Sequence, residues 1–214
     1  MSEARVAEQF ESIEQQGHAA RLGMWLFLAS EMLLFAGLFA LFVTYRVMYP
    51  DGFAAGVRAN TKTLGSINTG VLLTSSYFAA SAVHSVRAGA MRRAKRFVWG
   101  TIALGLAFLC IKAAEYAHHF HEGIFPGGAG AFFTRPEAPA AQGLALFWTL
   151  YYFMTGLHAL HVTAGMILLS TTLHGMQSKA IVPEAPQRME VAALYWHLVD
   201  AIWIFLWPLL YLAP

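Results

Sequence analysis

Charge is scarce in this chain: of 214 residues only 12% are Asp, Glu, Lys or Arg, about half of what a soluble globular domain carries. With 57% hydrophobic residues and a mean hydropathy of +0.51, that scarcity excludes an ordinary soluble domain. Cysteine is scarcer still. The one thiol, Cys110, sits in the apolar run 102–111, so an intrachain disulfide, a CxxC redox pair and a thiolate metal cage are excluded. The N-terminal stretch lacks an apolar core, and Glu3, Glu8, Glu11 and Glu14 outweigh Arg5, so no cleaved signal peptide is expected. Disorder is excluded by abundance instead, since 16 Phe, 8 Tyr and 6 Trp cannot stay dispersed in water. A net charge of +2 gives no reason to expect nucleic acid as a partner. Much of the excess lies in one cluster, Arg87, Arg92, Arg93, Lys95 and Arg96, read as a membrane-topology signal.

Long uncharged runs are what the chain does have. Crossing about 30 Å of hydrocarbon takes about 20 apolar helical residues, and five segments qualify, at about 22–45, 63–86, 97–117, 143–173 and 191–212. The expectation is an all-α membrane protein, a bundle of five transmembrane helices (21–214) after a cytoplasmic N-terminal segment (1–20). Strands are excluded because open edges leave backbone groups unpaired in lipid. Five crossings put the termini on opposite sides. Arg5, Arg21, Arg87, Arg92, Arg93, Lys95, Arg96, Lys179 and Arg188 fall on one side, and Arg46, Arg58, Lys62 and Arg135 on the other. That places the N-terminus inside and the C-terminus outside. The 118–142 connection, with Pro126, Gly127, Gly128, Gly130, Pro136 and Pro139, is expected to be an irregular outer loop. Ala36/Ala40 and Ala103/Ala107 are expected to let helices pack closely, and Trp25, Trp99, Trp148 and Trp207 to form interfacial belts.

Ionisable groups inside a span are costly and mark function or a specific pairing. At 1.5 Å per residue, Glu31 and Asp200 lie about 13 and 15 Å from the inner ends of their helices, and His158 lies near the middle of its own. His158/His161 and His197/Asp200 are i,i+3 pairs, each sharing a helix face. This polar set could bind a metal or haem, relay protons, or lock helices by hydrogen bonds. Locking is the plain reading of each histidine alone. Haem needs two histidines facing each other across helices, and a zinc or di-metal site needs more converging carboxylates than Glu31 and Asp200. Glu31, among Leu28, Met32, Leu34 and Phe35, reads plainly as a neutral hydrogen-bond donor to a neighbouring helix. Glu115, His118, His119, His121 and Glu122 form a second cluster at an outer helix end, read as solvated side chains suited to the helix dipole. Lys112 and Glu115 read as an i,i+3 pair near the interface. No nucleophile, phosphate loop or metal cage emerges. A five-helix transporter or proton channel is the rival class, although the interruptions of broken transporter helices are not expected in these spans.

Four motifs narrow the reading. The stretch Gly23-Met24-Trp25-Leu26-Phe27-Leu28-Ala29-Ser30-Glu31-Met32 resembles the Ser-Glu helix of subunit III of haem-copper cytochrome c oxidases. Glu115-Tyr116 resembles its Glu-Tyr pair, Thr155-Gly156-Leu157-His158-Ala159-Leu160-His161-Val162 its TGxHxxHV helix, and Glu190 through Tyr195-Trp196-His197-Leu198-Val199-Asp200 its ExxxxYWHxVD helix. The motifs occur in the family's order, in a chain that resembles the five-span form lacking the first two of seven helices. The resemblance implies an accessory subunit with no cofactor of its own, packed in a bacterial cytoplasmic membrane against subunit I, which holds haem and copper. Subunit II, other oxidase or supercomplex subunits and structural phospholipid are the further partners it implies. Position by position, Glu31 is the buried carboxyl, and His158, His161, His197 and Asp200 are the intramembrane polar positions. The resemblance also implies anionic lipid at the basic loop Arg87–Arg96. Related quinol oxidases and nitric-oxide reductases use similar subunits, so the electron donor stays open between cytochrome c and quinol.

Overall fold

The computed structural model describes residues 12–134, 141–178, 181 and 186–212. Arg5, most of the N-terminal segment, Arg135, Pro136, Pro139 and Lys179 lie outside the described residues. Among those described there is no strand, as expected for backbone in lipid. The described residues form six α-helices in the order α1 Ile13–Met48, α2 Pro50–Ala59, α3 Lys62–Arg87, α4 Met91–His121, α5 Ala141–Gln177 and α6 Gln187–Trp207. Pro208–Leu212 continues from α6 as a π-helix.

Helix ends follow local chemistry. Gly89 (φ +72°) and Gly123 (φ +78°) take the left-handed conformation just past α3 and α4. At each, the two following-turn N–H groups return to the helix: Gly89 to Val86 and Ala90 to Ser85, Gly123 to Phe120 and Ile124 to His119. That is the pattern that satisfies orphan carbonyls at a helix C-terminus. The short α2, absent from the sequence reading, starts with Pro50 and carries Asp51 in its first turn. The 118–142 connection is partly regular, since α4 runs on to His121 and 3-10 turns occupy Pro126–Gly128 and Ala131–Thr134.

Among the described residues four stretches are long and apolar enough to cross a membrane: Glu14–Met48, Met91–Gly128, Gly143–Gln177 and Gln187–Leu212. The expected second span is a helix, α3, long enough at 26 residues but diluted by Thr63, Ser66, Asn68, Thr69, Ser75, Ser76 and Ser85. Interruption was not expected, yet α6 stops at Pro208. Proline has no N–H to donate, and the wider π turn carries the chain past it.

The described residues form two compact units. One takes α1 up to Met32, Val71–Leu106 and His161–Asp200; the other takes Leu33–Gly70, Ala107–Leu160 and the chain from Ala201. In the first, Trp196 is fully buried and donates its indole N–H to Ser75 Oγ at 3.0 Å. A Cβ on Gly105 or Gly165 would meet the Trp196 ring at 2.7–2.8 Å. In the second, Phe42, Phe53 and Phe147 pack edge to face with centroids 5.0–6.1 Å apart, the arrangement aromatic quadrupoles favour. Glycines rather than alanines make the close approaches. Ala36, Ala40 and Ala103 are exposed, because at those positions the helices turn toward the surroundings. Trp25 and Trp99 are exposed as an interfacial belt requires, but Trp148 is fully buried among aromatic rings and joins no belt.

Gly52 tests this packing. A Cβ there would fall 2.6 Å from the backbone of Gly143 and Leu144, and backbone cannot step aside as a side chain can. Gly52→Ala should therefore destabilise the detergent-solubilised chain by about 1–3 kcal/mol, the scale of overpacking, while Gly37→Ala, where a Cβ meets nothing within 4 Å, leaves the thermal midpoint within error.

Candidate functional site

The densest polar cluster is built on α4, α5 and the π-helix. Lys112 and Glu115, one turn apart on α4, are both buried, at 4% and 0% side-chain exposure. Lys112 Nζ donates to Glu115 Oε2 at 3.2 Å and to the hydroxyls of Tyr151 and Tyr211 at 2.9 Å each. Those hydroxyls donate in turn to Glu115 Oε1, at 2.6 and 2.8 Å. The ammonium also lies 4.7–5.6 Å from the ring centroids of Tyr116, Tyr151, Trp203 and Tyr211. Every donor and acceptor thus finds a partner, as charges removed from water require. Tyr211 reaches the pair through the π segment. The i,i+3 pair of the sequence reading is present, and it is buried among aromatics. Tyr151 and Tyr211 were missed because no local pattern links positions 39 and 99 residues from Lys112.

The neighbouring histidine cluster divides. His118 and His121 are exposed, whereas His119 is buried against Trp148 and Tyr151, centroids 4.8 and 5.5 Å away. Neither ring nitrogen of His119 has a hydrogen-bond partner among the described residues. In the same unit the fully buried His158 packs against Phe108 and Trp203, at 5.5 and 5.2 Å, and Trp203 donates its indole N–H to Thr69.

In the other unit, His161 Nε2 and Glu31 Oε2 are hydrogen-bonded at 2.9 Å, joining an α5 imidazole to the α1 carboxyl. The bond to a neighbouring helix expected of Glu31 is present. His197 Nδ1 bonds Ser76 Oγ at 2.7 Å, and the Asp200 carboxyl is buried beside that serine. Three helices meet at Glu190, whose Oε1 takes both Nε and Nη2 of Arg87, at 3.1 and 2.8 Å, with Arg21 3.8 Å from Oε2. Arg92, Arg93 and Arg96 are exposed, Lys95 is half-buried, and Arg93 lies over the Phe97 ring. A groove of about 770 Å³, walled by Ile102, Leu106, Met166 and Ile167, has His174 and Arg188 among its lining. No three His, Cys, Asp or Glu side chains among the described residues converge as a metal site would need.

Polar groups satisfied by helix-to-helix hydrogen bonds inside long apolar helices define an α-helical, multi-pass membrane protein. The chain belongs to the cytochrome c oxidase subunit III family, whose model matches residues 1–213, and is a subunit III of a haem-copper oxidase. It is 30% identical to quinol oxidase subunit 3 of Bacillus subtilis over 94% of this chain and 91% of that protein. It is 31% identical to cytochrome c oxidase subunit 3 of the same organism, over 94% and 90%. A probable quinol oxidase subunit 3 of Staphylococcus epidermidis is 26% identical over 96% and 94%.

The aromatic-caged pair yields a double-mutant test. Lys112→Met leaves Glu115 without its buried countercharge and should cost about 3–5 kcal/mol. Removing both charges with Lys112→Met and Glu115→Gln should cost distinctly less, read as thermal midpoints of the detergent-solubilised chain.

Proposed function

We propose that this chain is the accessory subunit III of a proton-pumping terminal oxidase that reduces oxygen to water, with cytochrome c as electron donor. The observation that carries the reading is the coincidence of family membership with polar groups joined to one another across helices: Glu31 to His161, His197 to Ser76, and Lys112 and Glu115 to Tyr151 and Tyr211. Such groups stabilise helix packing, and the reduction of oxygen needs haem and copper that partners supply. Subunit I supplies haem and copper, subunit II and further oxidase subunits complete the assembly, and this chain supports proton uptake and stability. Glu31, at 17% side-chain exposure, is the carboxyl placed for a proton-related role. The groove with His174 and Arg188, together with Arg92, Arg93 and Arg96, suits phospholipid with anionic headgroups. A quinol-fed oxidase is the second reading, favoured by the relatives named for it.

Affinity purification of the chain from its native membrane in mild detergent should bring down a haem-containing partner, and the complex should consume oxygen with reduced cytochrome c. Consumption with quinol alone would move the assignment to the second reading. Absence of any haem partner would overturn both.

For topology, the reading is five crossings including α3, with residues 88–90 inside and 122–134 outside. In a Cys110→Ser background, a cysteine at Ala90 should be labelled by an impermeant maleimide only after permeabilisation, and one at Gly127 in intact cells. The reverse pattern would invert the orientation. Equal access at both would remove one crossing.

A further inference from the structure

Tyr and Trp are the side chains most readily oxidised by one electron without breaking the chain, and one unit holds a connected string of them. Trp203 lies 6.4 Å from Tyr211, Tyr211 6.2 Å from Tyr151, and Tyr151 5.2 Å from Tyr152 and 6.1 Å from Tyr116, ring centroid to ring centroid. Tyr116 and Tyr152, 5.0 Å apart, are half-buried and form the accessible edge of the string, while Tyr151 and Tyr211 are fully buried. Hydrogen bonding separates the members chemically. Tyr151 and Tyr211 each donate to a carboxylate oxygen of Glu115, a base in position to take the phenolic proton. Trp203 donates to a threonine hydroxyl, which is no base, and Trp148 Nε1 has no hydrogen-bond partner among the described residues.

Lys112 decides where an electron vacancy can rest. A cation added to a ring 4.7–5.6 Å from the ammonium would be repelled strongly in a low-dielectric interior. An oxidised indole that keeps its proton is such a cation. An oxidised phenol that passes its proton to Glu115 is neutral, and the proton moves only across an existing hydrogen bond.

We propose that this Tyr–Glu–Lys cluster is a one-electron oxidation sink, in which an oxidant at the accessible Tyr116/Tyr152 edge is reduced and the vacancy comes to rest as a neutral tyrosyl radical on Tyr151 or Tyr211. The oxidant class is a lipid peroxyl radical. It takes the phenolic hydrogen atom of Tyr116 or Tyr152 and becomes a hydroperoxide, leaving a neutral phenoxyl radical at the edge. That radical is refilled by one electron from Tyr151 and a proton from water, while the Tyr151 O–H bond breaks as its proton goes to Glu115, giving the tyrosyl radical on Tyr151, a neutral carboxyl and hydroxide. A one-electron reductant of the enediol class, such as ascorbate, returns the electron through the same edge, and the proton goes back from Glu115 to the phenolate oxygen. The sink requires only this chain, so its test stands apart from the oxidase assignment.

Cys110, exposed and free on α4, offers a site for a ruthenium polypyridyl photo-oxidant on the full-length chain in detergent. After flash-quench oxidation, electron paramagnetic resonance should show a neutral tyrosyl radical whose formation slows in heavy water. Tyr151→Phe and Tyr211→Phe together should abolish that signal, while the exposed Tyr77→Phe leaves it unchanged. The isotope effect is read on the unsubstituted protein and so needs no variant to fold. An indole cation radical in the unsubstituted chain, a tyrosyl signal that survives the double substitution, or formation indifferent to heavy water would overturn the proposal.

Discussion

Taking a charge out of water is so costly that an ion can persist in a helical interior only when its whole surroundings are arranged for it. Lys112 and Glu115 impose that arrangement on their unit. Their charges call in two phenol hydroxyls and four aromatic faces, one from α4 itself and three from α5, α6 and the π-helix beyond it. The unusual end of α6 follows from the same demand. After Pro208 the chain winds into a π turn, and that turn buries Tyr211 where it can serve both members of the pair.

The other unit solves the same problem with neutral or half-exposed groups. Ser75 and Ser76 on α3 take the indole of Trp196 and the imidazole of His197, and Glu31 takes His161. The polarity that lowers the hydropathy of α3 is therefore its contribution to packing. Hydrogen bonds between transmembrane helices contribute about 1 kcal/mol or less each, so many modest bonds share the task. The clamp of Arg21 and Arg87 on Glu190 adds a charged tie at the helix ends, where partial exposure weakens it.

Family membership and side-chain geometry bear on different levels of function. The first places the chain in an oxidase; the second shows Lys112, Glu115, Tyr151 and Tyr211 engaged with one another. Even the histidines that invite a metal reading have other surroundings, with His158 against Phe108 and Trp203 and His161 on Glu31.

Much was legible in the sequence because lipid reduces the options. Low charge and long apolar runs dictate helices, and an i,i+3 spacing dictates that Lys112 can meet Glu115. The pairing of His161 with Glu31, the burial of Trp148, the exposure of Ala36 and Ala40, and the recruitment of Tyr151 and Tyr211 were not legible. Each depends on which face of one helix meets which face of another. Helical periodicity states which residues share a face, but the rotation and register of separate helices are set by side-chain fit over tens of residues at once, and that the tertiary structure alone decided.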